Sequence, residues 1–236
     1  MNLSKIKFLS GSWLKLIAVV SMLIDHTAHI LWMDDPVMTA ALITLGGREI
    51  SAYWIARKIG RVAFPIFCFL VAEGCRHTRS KVKYGLNLAL FAVISEIPFN
   101  LMMNGTLACP GKQNVFVTLL LGVLLLWVYD WDRKELWKAV GFLMVGACAI
   151  ALKVDYGLAG AILVLVMYAL RKKPALRAIV TYPLLSGGAA AFCAFAPISL
   201  YNGKRGFIRS RWLKYAFYLF YPVHILILVG IRKYVI

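Results

Sequence analysis

Acidic residues are scarce in this sequence: 10 Asp and Glu stand against 27 Lys and Arg in 236 residues, a formal net charge of +17. In a soluble protein that imbalance points to nucleic acid. Here the chain is also 61% hydrophobic, and cations in such a chain decorate loops that face anionic lipid, so no nucleic-acid partner is expected. Paired cysteine spacing is missing too. Cys68, Cys75, Cys109, Cys148 and Cys193 are scattered, which excludes a disulfide framework and a thiolate metal site and leaves them as small packing residues. No metal is expected. No self-similar period of roughly 20–50 residues appears, which excludes a repeat array. No linker divides the chain, so residues 1–236 are expected to form a single integral membrane domain. No small-residue cleavage site follows the first apolar run, which therefore reads as a retained span rather than a signal peptide.

What the sequence has in abundance is apolar length. Mean hydropathy is +0.76, and a membrane span needs about 20 mainly apolar residues. Such stretches lie near 13–32, 61–78, 82–103, 114–131, 137–153, 156–171, 177–200 and 213–231. The expected fold is all-α, a polytopic transmembrane helix bundle of about eight spans. The apolar patch from Val37 to Leu45 is too short to cross, and the stretch 34–60 is expected as a short interfacial or re-entrant helix after the first span, capped by Gly46 and Gly47. With a cytoplasmic amino terminus, Lys5, Lys7 and Lys15 share their side with the basic clusters 76–83, 133–138 and 171–177, as the positive-inside rule favours. The cell membrane is the expected location. The exception is 201–214, whose Lys204, Arg205, Arg209, Arg211 and Lys214 fall on the outer side in an eight-span arrangement. Either a function holds them there, or the number of spans is off by one.

Four acids, Asp25, Glu73, Glu96 and Asp155, lie inside or at the rim of apolar runs, where ionisable groups are costly and mark function. In the first span, Lys15 and His26 are three turns apart on one face, roughly 16 Å along the axis. Asp25 cannot share the face of His26 but reaches His29, four residues on, which leaves His26 to work across the bundle. In the second, Glu73 faces Arg76 and His77 at i+3 and i+4, and Arg61 opens the other end. In the third, Pro98 two residues past Glu96 kinks the helix and aims the acid inward. Asn114 opens the next span, Asp155 and Tyr156 stand at a span boundary where Asp155 can serve as a cap, and Tyr221 and His224 lie near the middle of the last span. An alternating topology gathers His26, Glu96, Asn114, Asp155 and the 201–214 loop on one side. Such a set suits a general base with charge stabilisation, or simply the polar contacts that hold membrane helices together.

The stretches "LKLIAVVSMLIDHTAH", "RVAFPIFCFLVAEGCRHT", "SEIPFN", "DYG", "YNGKRG" and "YAFYLFYPVHI" resemble, in order and over nearly the whole chain, the TraX family of membrane proteins, named for acetylation of the amino terminus of conjugative pilin. A fainter likeness is to transmembrane acyltransferases of the acyltransferase-three type, whose first span carries an arginine, ten residues and a histidine. Lys15 and His26 have that spacing, although a lysine lacks the bidentate contact of an arginine. The resemblance implies acyl transfer from acetyl-CoA or another acyl-CoA to an envelope acceptor: a protein, glycan, lipid or small amine. His26 is then the base or transient acyl carrier, with Asp25 and Glu96 as catalytic partners and Asp155 as a further carboxylate near the acceptor. Lys15, Arg76 and Arg79 would receive coenzyme A phosphates, and Tyr201, Asn202, Lys204 and Arg205 an anionic acceptor. Arg61, Glu73, Asn114, Tyr156, Tyr221 and His224 complete the expected binding residues.

Two other functions fit the same residues. A proton-coupled transporter or flippase also uses intramembrane Asp, Glu and His, although no inverted repeat is present. A non-catalytic protein of conjugation or envelope assembly needs no chemistry at all.

Overall fold

The computed structural model describes residues 7–108 and 111–235. Lys5 and Cys109, named above, lie outside these residues, as does the side chain of Arg211. The described chain is mostly helical. In order it forms α1 (Gly11–Thr27), a π-helical turn (Ala28–Trp32), α2 (Pro36–Thr39), β1 (Ala41–Leu45), β2 (Arg48–Ser51), α3 (Ala52–Gly60) and α4 (Ala63–His77). Then come α5 (Lys81–Asn104), α6 (Val115–Tyr129), α7 (Glu135–Ala151), α8 (Gly157–Ala169) and α9 (Pro174–Thr181). A 3-10 turn (Tyr182–Leu184), α10 (Ala189–Phe192), α11 (Phe195–Ser199) and α12 (Arg211–Tyr234) complete it. These divide into two compact units, Met1–Ile66 with Ala189–Ile236, and Phe67–Gly188.

Among the described residues, three helices are long and apolar enough to cross a membrane: Gly11–Trp32 with 22 residues, Lys81–Asn104 with 24 and Trp212–Tyr234 with 23. At 1.5 Å per residue the shortest spans about 33 Å, against a hydrocarbon core of about 30 Å. On α5 the exposed residues Leu86, Leu90, Val93 and Ile97 form one apolar stripe, while Ser95 and Asn100 are buried. That inversion suits a helix with lipid outside and protein inside.

In the first unit, α1 begins at Ser10 without a side-chain cap. Carbonyls of the 201–206 loop take that role. Gly11 N–H donates to Lys204 O at 2.8 Å and Ser12 N–H to Arg205 O at 3.0 Å, while Ser12 Oγ donates to Arg205 O at 2.8 Å and accepts from Ile208 N–H at 2.9 Å. Leu9 and Tyr201 form a parallel bridge beside them. The loop therefore sits at the Lys15 end of α1, not at the His26 end where the sequence placed it. The reason is visible just upstream. The stretch 177–200, expected as one span, is broken into α9, a 3-10 turn, α10 and α11. Pro183 and Pro197 interrupt it, and Gly188 turns the chain with φ +55°.

The interfacial helix expected over 34–60 is also corrected. Asp35 Oδ1 accepts from Val37 and Met38 N–H and starts only one turn, α2. The chain then forms an antiparallel hairpin in which Leu45 pairs with Arg48. Gly46 and Gly47 have φ of +56° and +76°, and two successive positive φ values make the two-residue turn that favours Gly-Gly. The glycines close a hairpin instead of capping a helix. A helix does follow: Ser51 Oγ accepts from Trp54 N–H and caps α3, which packs on α1 and its π turn.

In the second unit, α6 is the central helix and packs on α5, α7 and α8. Its Leu121 and Leu125 form a core with Ala149, Val154 and Ala161. Asp130, just past the end of α6, binds the Lys81 ammonium and accepts from the Tyr168 hydroxyl at 2.6 Å. The Arg171 guanidinium lies 4.8 Å over the Tyr168 ring. Partial burial pushes the Asp130 carboxyl up, but the bonds from Lys81 and Tyr168 and the charges of Lys81 and Arg171 outweigh it and hold it below the ordinary carboxylate value.

Candidate functional site

Asp25 and His26 of α1 are taken up by different neighbours. Asp25 forms an ion pair with Arg57 of α3 at 2.7 Å. Arg57 also donates to the Asp25 carbonyl at 3.4 Å. Splayed by about 100° from Asp25, His26 faces α12, where its Nδ1 lies 2.7 Å from Nε2 of His224. The two ring planes are parallel within 1°. Tyr221 is buried and presents its ring edge-on to both, with centroids 5.8 Å from His26 and 6.0 Å from His224. Directly after them the helix widens into the π turn carrying His29, a local irregularity that recurs at functional sites.

The proton positions in this pair follow from one contact. His224 Nδ1 is 2.6 Å from the Phe220 carbonyl oxygen, which only accepts, so Nδ1–H donates. In neutral His224 the other nitrogen, Nε2, is then bare and accepts from His26 Nδ1–H. The chain ends at His26 Nε2, which keeps its lone pair. A proton added at His26 Nε2 would leave the His26–His224 link intact. A second proton, at His224 Nε2, would break the 2.7 Å link.

The remaining candidates are placed as follows. Lys15 stands near the start of α1, with Arg205 and Lys214 as the cations whose fields reach it. Lys204 and Arg205 have exposed side chains, and it is their carbonyls that cap α1. Asn202 Nδ2 donates to Phe8 O at 3.1 Å, and Tyr201 bridges to Leu9. Arg61 ends α3 as its C-cap.

In the second unit Glu73 lies 3.8 Å from Arg76 and 3.6 Å from His77, at the expected i+3 and i+4 positions. Arg79 is exposed in the turn before α5. Glu96 accepts from Asn114 Nδ2 at 2.6 Å. Asn114, completely buried, also donates to Ala92 O at 2.8 Å and caps α6 by accepting from Phe116 N–H at 3.1 Å. Asp155 pairs with Lys112 at 2.6 Å, while Tyr156, not Asp155, is the N-cap residue of α8.

His26 meets Tyr221 and His224 within its own unit. In the other compact unit Glu96 pairs with Asn114, and Asp155 pairs with Lys112. Arg57 was missed among the site residues. Its signal was the requirement that an acid inside a span find a cation, in a segment offering Arg48, Arg57, Lys58 and Arg61.

Comparison with known proteins gives the remaining direction. The chain is 28% identical over 255 residues to a probable fimbrial assembly protein FimC, serogroup H1, of Dichelobacter nodosus, covering 95% of this chain and 96% of that protein. No solved structure matches. The expectation of acyl transfer from acyl-CoA is overturned by this likeness, which turns toward fimbrial assembly and away from an acyltransferase, and it favours the non-catalytic assembly alternative. Residues 10–232 match the family described as TraX protein, and the chain belongs to the TraX family.

Proposed function

We propose that this chain is a multi-pass membrane protein that takes part, without catalysing a reaction, in building a pilus- or conjugation-type surface fibre. The observation that carries the reading is the near full-length likeness to a protein named for fimbrial assembly. The polar groups of α1 support it. Asp25 with Arg57 and His26 with His224 are pairs between helices, the kind of contact that fixes packing inside a membrane. Its partners are the bilayer and a protein of the fibre or its export machinery, and acyl-CoA has no part in the reading.

The arrangement we propose has about seven crossings rather than eight. The six apolar stretches from α1 to α8 cross, 174–200 returns on the starting side, and α12 crosses last. Lys204, Arg205, Arg209 and Lys214 then join Lys7, Lys15 and the clusters 76–83, 133–138 and 171–173 on one side. The positive-inside rule makes that side cytoplasmic, and the membrane is the cytoplasmic one.

Disrupting the gene in its native host tests the function. Surface fibres counted by negative-stain electron microscopy should disappear and return with a plasmid copy, while fibre-subunit synthesis is unchanged. Normal fibre numbers in the disrupted strain would refute the proposal.

A further inference from the structure

One buried cation is not used by any of the pairs above. Arg177, in the first turn and a half of α9, is only 7% exposed. Its guanidinium lies over the Phe69 ring at 5.1 Å from the centroid, and its Nε is buried with no hydrogen-bond partner among the described residues. The carboxylate whose field reaches it is Glu73, which lies 3.8 Å from Arg76 and 3.6 Å from His77. A buried charge without a bonded counter-ion is costly, and a cation–π contact returns only part of that cost. Something of opposite charge belongs there.

The surroundings define its chemistry. The helix α9 starts at Lys173 with Pro174 in its first turn and no side-chain cap. An uncapped helix start presents amide N–H groups and a partial positive charge to an anion. The Cα–Cβ bond of Arg177 leans toward that start, and Lys173 lies one turn before it, joined by the Arg177 N–H bond to Lys173 O at 2.9 Å. A guanidinium fork, free amides and a lysine one turn away match a tetrahedral oxyanion.

We propose that Arg177, with Lys173 and the first turn of α9, binds a phosphate group. Basic sites between membrane helices take the headgroups of anionic lipids, and a soluble phosphate offers the same oxygens. This assignment does not depend on the fibre-assembly role.

The test uses the purified full chain, stripped of lipid in a neutral detergent. One arm measures thermal unfolding in sodium phosphate against sodium chloride at equal ionic strength. The other compares nanodiscs of phosphatidylglycerol with nanodiscs of phosphatidylcholine, using native mass spectrometry to count retained lipid. At least one phosphate source should raise the midpoint of the wild type by about 2–4 °C or be retained as an adduct. Response to phosphatidylglycerol alone assigns a lipid headgroup, and response to inorganic phosphate assigns a soluble ligand. Arg177→Met should lose the response and Arg177→Lys should weaken it, the lysine variant serving where methionine prevents folding. Glu73→Gln, which removes a competing carboxylate, should bind as well as the wild type or better. No response from either source overturns the proposal, as does an undiminished response in Arg177→Met. Loss of the response in a folded Glu73→Gln variant would assign Arg177 to Glu73 and overturn it equally.

Discussion

Gly60 of α3 lies so close to Asp25 of α1 that a Cβ on the glycine would overlap the Asp25 side chain. Arg57, three residues earlier on the same helix face, forms the ion pair with that carboxylate at 2.7 Å. The absence of a side chain at 60 lets the two helices approach until the pair closes. Gly60→Ala should therefore force α1 and α3 apart and cost about 1–3 kcal/mol. Thermal unfolding in detergent is the measurement, and an alanine variant as stable as the wild type would show that the close approach is not needed.

Asn114 makes a sharper prediction, because both ends of its amide are used. Its nitrogen donates to Ala92 O and Glu96, and its oxygen caps α6. Asn114→Ala removes all three bonds and should cost about 1–3 kcal/mol for each buried group left unpaired. Asn114→Asp keeps the cap but loses both donor bonds and sets a second carboxylate against Glu96. At neutral pH it should be at least as damaging as alanine, and partial recovery on acidification should distinguish it, since protonating either acid relieves the repulsion. An aspartate variant more stable than the alanine variant at pH 7 would contradict this account.

The same residue shows how far the sequence could be read. That Glu96 and Asn114 both matter was legible, since an acid inside an apolar run and an amide at the head of one are conspicuous. That they satisfy each other was not, because pairing between helices depends on how α5 and α6 pack. The Glu73 pair with Arg76 and His77 was legible, being local to one helix. The His26 to His224 contact joins residues 198 apart in sequence, and only the direction of His26, away from Asp25, could be argued. Apolar composition misled twice. It read 177–200 as a helix despite Pro183, Pro197 and the glycine pair at 187–188, and it read Gly46-Gly47 as a helix cap when two adjacent glycines more strongly favour a hairpin turn.

Asp130 gives a pH prediction. Its carboxyl is held below the ordinary value, so the fold favours the charged form. The stabilisation is complete above the unfolded carboxylate pKa of about 3.9 and is lost as pH falls through the lower folded value. Tyr168→Phe removes one of the bonds responsible, the 2.6 Å donation to Asp130. The variant should be less stable by about 0.5–1.5 kcal/mol at pH 7, and the gap should narrow below about pH 4. Chemical unfolding at both pH values checks this, and a gap independent of pH would remove Asp130 as its source.

The histidine pair separates a structural role from a chemical one. His26 donates through Nδ1, and the amide nitrogen of an asparagine stands close to that position. His26→Asn should keep a donor toward His224 Nε2 and should retain both the fold and surface fibres. His26→Leu removes the donor, leaves His224 Nε2 buried without its partner and should cost about 1–3 kcal/mol, lowering the amount of protein in the membrane and the number of fibres together. The comparison is made on fibre counts normalised to membrane protein level. Under the structural role the normalised counts of both variants match the wild type. If His26→Asn is stable and fully inserted yet makes no fibres, the imidazole itself is required, and packing between α1 and α12 no longer explains why a histidine stands at position 26.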